Sequence, residues 1–226
     1  MEKSKWLRIS FRLILIVSCA TGILMTLLFQ RQLLRSLSYF TVQSNLFVLG
    51  FVIMEMTLRK PEKKWVSLVR LAVFMAILTT FTVYHLMLRP MLIQTPGYDF
   101  PPAVDFLVHT LTPILAILDS LFFSPKGRMR FRDVWVAIVI PIFYIVYINL
   151  YAAFGGTFEF DGVISRFPYY FLDIDQLGVG RVFGISAGIA ILILAVGSLV
   201  IGCDIRMAKR LFLSGITDNP RNGESS

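Results

Sequence analysis

The chain has 226 residues, 56% of them hydrophobic and only 16% charged, with a mean hydropathy of +0.72, which excludes an ordinary soluble domain and fits a polytopic membrane protein. Its formal net charge is +8 and its pI about 9.7. The basic residues form short juxtamembrane clusters without an accompanying soluble domain, so anionic lipid headgroups are the expected partners and a nucleic-acid role is not.

Six stretches are long enough to span a hydrocarbon core: 9 to 29, 39 to 58, 68 to 88, 104 to 123, 134 to 152 and 182 to 203. Each is expected to be helical, because an open strand in lipid leaves backbone groups unpaired. Connections are short and no fixed-period repeat occurs, so the expected fold is all-α: a single six-helix transmembrane bundle over 1 to 213, followed by a polar, disordered cytoplasmic tail over 214 to 226.

The first span begins like a signal peptide, with Lys3, Lys5 and Arg8 before an apolar run. No small-x-small cleavage site follows and the run continues to Phe29, so it reads as an uncleaved span. Cys19 near its middle and Cys203 at the end of span six differ in depth by roughly 12 to 18 Å at the helical rise, which excludes a disulfide. Both read as small core residues.

Of the 22 basic residues, 17 fall at the N-terminus, the two-to-three and four-to-five turns and the C-terminal segment. Only Arg31, Arg35, Arg89, Arg166 and Arg181 fall on the other side. The positive-inside rule then places both termini in the cytoplasm of a cell-membrane protein. The outer three-to-four loop, Arg89 to Pro102, is rich in Pro and aromatic residues and reads as an ordered cover. The five-to-six connection, about 153 to 181, runs from Gly155-Gly156 through Glu159 and Asp161 to Asp173, and reads either as a lid over an outward cavity or as an interfacial anchor.

Within this topology, chemically capable side chains reach similar depths. Thr41 in span two and His109 in span four lie roughly 3 Å and 7 to 8 Å below the outer boundary, and His85 and Asn149 roughly 5 Å. Asn45 is one turn deeper than Thr41 on nearly the same face. In span four, Asp105, His109, Thr112, Ala116 and Asp119 are spaced 4, 3, 4 and 3, forming one polar stripe that should face inward, with Pro113 permitting a bend. Interhelical hydrogen bonding alone would account for any one of these residues; their convergence suggests a shared site.

A neutral His that accepts the proton of a Thr hydroxyl makes attack on an ester carbonyl feasible. Asp105 could orient His109, although i, i+4 geometry leaves direct contact open, and Asn45 or Asn149 could donate to an oxyanion. An ester with long acyl chains could place its tails between helices and its carbonyl at this depth. Tyr144, Tyr147 and Tyr151 of span five recur at helical spacing and could line that cavity or simply pack.

The segments Tyr39-Phe40-Thr41-Val42-Gln43-Ser44-Asn45-Leu46, His109-Thr110-Leu111-Thr112-Pro113 followed by Asp119, and Pro168-Tyr169-Tyr170-Phe171-Leu172-Asp173 resemble, in order and spacing, the androgen-induced and androgen-dependent TFPI-regulating family of six-span membrane hydrolases, and its bacterial branch in particular. The resemblance implies hydrolysis of fatty acid esters of hydroxy fatty acids, with Thr41 as nucleophile and His109 as base. Gln43, Ser44, Asn45, His85, Asp105, Asn149 and Tyr147 are then the supporting or substrate-binding candidates, and no metal or other cofactor is expected. The expected partners are a lipid or fatty acyl ester substrate and the surrounding membrane lipids.

Other function classes fit parts of the pattern. His85 and His109 on adjacent antiparallel helices could ligate one b-type haem in an electron-transfer subunit, but that leaves Thr41 and Asn45 without a role. A lipid-binding or scaffolding protein could use the polar layer only to join helices. Transport is disfavoured by the lack of paired broken helices or an inverted repeat.

Overall fold

The computed structural model describes residues 2–30, 32–58, 63–94, 100–160 and 163–213. The tail over 214 to 226 and the centre of the three-to-four loop, 95 to 99, lie outside the described residues. Among the described residues, six helices are long and apolar enough to cross a membrane: Lys5–Gln30, Phe40–Thr57, Lys64–Leu92, Pro102–Phe123, Phe131–Ala153 and Val179–Leu213. These are spans one to six below.

Side-chain contacts fix the up-and-down order. At one end, Arg12 of span one meets Asp119 of span four at 2.8 Å, Lys64 of span three lies 3.8 Å from Asp133 of span five, and the Gly127 amide donates to Asp204 of span six at 2.9 Å. At the other end, Thr41 opens span two beside His109 of span four, and His85 closes span three beside Thr110. The first we call the basic end, the second the site end. Span three is the most buried and packs against spans two, four and five; span six is the most peripheral and rests on the start of span five.

Hydropathy located each span, but their ends are set by other forces. Span six continues to Leu213 because Arg206, Met207, Lys209 and Arg210 are good helix formers that carry a helix past its apolar stretch. Span five starts earlier than the apolar run, with a 3-10 segment Phe131–Ile138 whose first turn is closed by the Arg130 amide donating to Asp133 at 2.8 Å. Of the two cysteines, Cys19 is buried as expected, whereas Cys203 is exposed.

Two spans contain a π-helical turn, Tyr84–Leu88 in span three and Leu107–Leu111 in span four. Each is followed by a proline, Pro90 or Pro113. Proline has no N–H to give the carbonyl four residues earlier, so the ladder is interrupted and the register relaxes to a wider turn. Both histidines ride on these turns. Span one comes close at the second of them: a Cβ added to Gly22 would lie 2.8 Å from the Val108 side chain, so only glycine admits this approach.

The five-to-six connection contains a structure that the sequence reading did not anticipate, an antiparallel hairpin of β1 (Phe158–Phe160) and β2 (Val163–Ser165), with Glu159 opposite Ile164. Gly155, at φ +82°, takes the left-handed conformation that ends span five. After the hairpin come a 3-10 turn, Tyr170–Leu172, and a short helix, Ile174–Leu177, capped by Asp173, which accepts from the Asp175 and Gln176 amides at 3.0 Å. Phe158, Phe167, Phe171 and Leu172 are buried against Phe40, Tyr144 and Ile148, so the connection is a packed cover over the site end.

Candidate functional site

Thr41 occupies the first turn of span two, where hydrogen bonds fix its backbone. Its carbonyl accepts from Ser44 Oγ at 3.0 Å and from Asn45 Nδ2 at 2.8 Å. Ser44 Oγ also pairs with Thr80 of span three at 2.7 Å, and Asn45 Nδ2 donates to the Val108 carbonyl of span four at 3.1 Å. Ser44 and Asn45, both fully buried, therefore tie span two to its neighbours directly beneath the hydroxyl.

Thr41 Oγ1 lies 3.2 Å from His109 Nε2, and His109 Nδ1 lies 2.9 Å from Asp105 Oδ1. The Asp105 contact, which the i, i+4 spacing left open, thus forms across the π turn. A carboxylate accepting from Nδ1–H leaves Nε2 as the acceptor facing the hydroxyl, the tautomer a general base requires. Tyr84 encloses the pair. Its ring stacks on the His109 imidazole, with centroids 3.8 Å apart and planes within 9°, and its hydroxyl donates a short hydrogen bond to Asp105 Oδ2.

Tyr169 approaches Thr41 from the cover. Its hydroxyl lies 3.5 Å from the Thr41 amide, and its ring stacks parallel on Phe171 at 5.4 Å. Burial pushes this phenol above its ordinary pKa, so it stays protonated and able to donate. The Thr41 amide belongs to the first helical turn, where N–H groups have no intrahelical acceptor.

The relay opens onto a cavity of about 660 Å³ between the bundle and its cover. Thr41, His109, Tyr84 and Tyr169 line it, with Arg35 and Glu159 among its polar wall groups and Phe29, Phe100 and Phe158 among its apolar ones. Arg35 Nη1 lies 3.4 Å from Glu159. The wall mixes apolar surface with many polar groups, a combination suited to an amphiphilic small molecule.

The remaining candidates divide by position. His85 packs edge-on against Tyr84, pairs with Thr110 at 3.1 Å and hydrogen-bonds the backbone of His109, so it buttresses the relay from behind. Gln43 Nε2 donates to the Leu37 carbonyl at 3.0 Å and braces the turn leading into span two. Tyr147 pairs with Ser38 Oγ at 2.6 Å and lines neither this cavity nor the slot described below. Asn149 is not brought to the others: it is exposed and donates to the Ile145 carbonyl of its own helix. Neither asparagine amide is available to an oxyanion, because both protons of Asn45 Nδ2 already have carbonyl acceptors. Tyr84 and Tyr169 hold places that the sequence reading left unassigned. Tyr84 directly precedes His85, and Tyr169 lies within a quoted motif, but aromatic residues in an apolar chain carry no mark that separates a catalytic ring from a packing one. Among the described residues no three His, Cys, Asp or Glu side chains group as a metal site.

No protein-family model, curated protein or solved structure matches this chain.

Proposed function

We propose that the protein is an integral membrane hydrolase that cleaves lipid-like carboxylic esters, with Thr41 as nucleophile and His109 as base. The observation that carries this reading is the continuous Thr41–His109–Asp105 relay, with a 3.2 Å and a 2.9 Å contact, at the wall of a large amphiphilic cavity. Polar groups that serve only to join helices would be satisfied within the bundle and would not face a cavity.

In the proposed reaction His109 Nε2 takes the Thr41 proton as Oγ1 attacks the ester carbonyl, and Asp105 steadies the imidazolium that forms. The oxyanion develops beside the Tyr169 hydroxyl and the Thr41 amide, which donates to the phenol oxygen in the resting site and serves as the second donor once substrate arrives. His109 then delivers its proton to the departing alcohol oxygen. A water entering from the cavity attacks the acyl-threonine with His109 again as base, releasing a carboxylic acid and restoring Thr41.

The distribution of basic residues supports cytoplasmic termini in the cell membrane and a site under the outer-leaflet headgroups. The resemblance of the three motifs to the androgen-induced and androgen-dependent TFPI-regulating hydrolases suggests fatty acid esters of hydroxy fatty acids as the substrate class. The haem reading gains nothing from the geometry, since both ring nitrogens of His109 are engaged by Thr41 and Asp105.

The test is labelling of detergent-purified protein with a fluorophosphonate, followed by peptide mapping, together with a panel of acyl esters. The expected adduct is on Thr41, and Thr41→Ala is expected to lower hydrolysis by at least about 10³-fold. Label on another residue, or wild-type turnover by Thr41→Ala, overturns the assignment.

A further inference from the structure

A second space meets the first at the nucleophile. It is a narrow, almost wholly apolar slot of about 90 Å³, running from Thr41 and Tyr169 down between spans three, five and six. Thr79 and Val83 line it from span three, Ile138 and Ile145 from span five, and Ser186 and Ala190 from span six. From Ser186 to Ile193, or from Ile138 to Ile145, is seven residues, so the slot descends roughly 10 Å into the apolar layer at the helical rise. Its rim includes Ile142, which is 49% exposed on the outer surface of the bundle, so one long side opens toward lipid.

Thr41, Tyr84, Leu88 and Tyr169 line both spaces, whereas His109 lines only the large cavity. That asymmetry decides which half of an ester goes where. The departing alcohol must receive its proton from His109 and therefore lies in the large cavity. The acyl carbon stays bonded to Thr41 Oγ1, and its chain points to the side from which His109 is absent. On the basis of the ester hydrolase reading above, we infer that the slot between spans three, five and six is the acyl-chain site, taking a linear saturated or unsaturated hydrocarbon tail that enters sideways from the bilayer. The polar part of the alcohol half meets Arg35 and Glu159 in the large cavity.

Ser186 and Ala190, one turn apart on one face of span six, line one wall of the slot above Ile193. Ser186 Oγ is buried with no hydrogen-bond partner among the described residues, so replacing it removes no bond. The experiment measures kcat/KM of wild type, Ala190→Phe and Ser186→Phe on p-nitrophenyl esters from acetate to palmitate, and on alkyl acetates of increasing alcohol length. Each methylene that loses its place is worth roughly fourfold. The expected result is a loss of about 10²-fold or more on palmitate, butyrate turnover within about threefold of wild type, and unchanged preference along the alcohol series. Butyrate turnover also reports that the variants are folded.

A second measurement needs no variant: an alkyl fluorophosphonate with a photo-crosslinker at the end of its alkyl chain is reacted with wild type and irradiated. Crosslinks to 138–145 or 186–193 are expected. Unchanged palmitate-to-butyrate ratios in both variants, a shift along the alcohol series instead, or crosslinks confined to 158–170 overturn the slot assignment and leave the hydrolase standing. If wild type neither takes the phosphonate nor cleaves any ester, the hydrolase reading fails and the slot assignment with it.

Discussion

The two ends of the bundle both bury polar side chains, and they do so in opposite ways. At the basic end Arg12 binds Asp119 through two hydrogen bonds, at 2.8 and 3.2 Å. Its Nη2 also lies 3.1 Å from Glu55 Oε2, an ion-pair distance without hydrogen-bond alignment, while Arg70 donates a short bond to Glu55 Oε1 and sits over the Phe51 ring. Two cations and two anions, each under 10% exposed, cancel one another, and none lines either of the two spaces at the nucleophile. At the site end a hydroxyl, an imidazole, a carboxylate and two phenols form a chain whose head faces a cavity. Charges that close on themselves hold helices together; polar groups in series toward an open space can move a proton.

Two carboxylate substitutions separate these roles most sharply, and they carry the largest expected effects. Asp105→Asn keeps a hydrogen-bonding group beside His109 but holds the wrong tautomer, and should lower kcat by as much as about 10⁴-fold with the thermal transition unchanged. Asp119→Asn leaves two guanidiniums facing one carboxylate in a buried place and should destabilise by about 3 to 5 kcal/mol, seen as a lower Tm in detergent, while the protein still folded keeps near wild-type kcat. If Asp119→Asn lowers kcat at unchanged Tm, or Asp105→Asn melts the bundle, the division between the ends fails.

That division was only half legible in the sequence. Hydropathy revealed the six spans, and alternating basic clusters gave their order. Thr41 and His109 could be grouped because depth in a membrane follows from residue count at a fixed rise, and Asp105 joined them because it lies one turn before His109 on the stripe of span four. Arg12 and Arg70 read only as topology charges and Asp119 as one member of a stripe, since partners on separate helices, such as Arg12 and Asp119, have no sequence relation. The hairpin was hidden because two three-residue strands, Phe-Glu-Phe and Val-Ile-Ser, are too short to show alternation. The asparagines were misleading for a physical reason: an amide NH2 in an apolar span donates as readily to a backbone carbonyl, as those of Asn45 and Asn149 both do, as to a substrate.

Smaller effects sharpen the picture within the site end. Tyr169→Phe removes one oxyanion donor and leaves the Thr41 amide, so kcat should fall about 10²-fold with KM little changed, because the donor acts on charge that exists only in the transition state. A rise in KM at constant kcat would instead make Tyr169 a wall of the cavity. The raised pKa of this phenol means that it does not ionise until above its ordinary value near 10, so its donor should remain available across neutral and mildly alkaline pH.

The smallest expected effect belongs to Asn149, and it tests depth as a criterion. Asn149 lies at the depth that grouped the other polar residues, yet its side chain is exposed and bonded to its own helix. If shared depth were sufficient for membership in the site, Asn149→Ala would cost turnover. If the cavity defines membership, the variant removes only a local bond from an exposed face, and kcat/KM should stay within about twofold of wild type with Tm nearly unchanged. A tenfold loss of kcat would mean that the exposed face of span five takes part in the reaction, and that the working site is larger than the space enclosed by the cover.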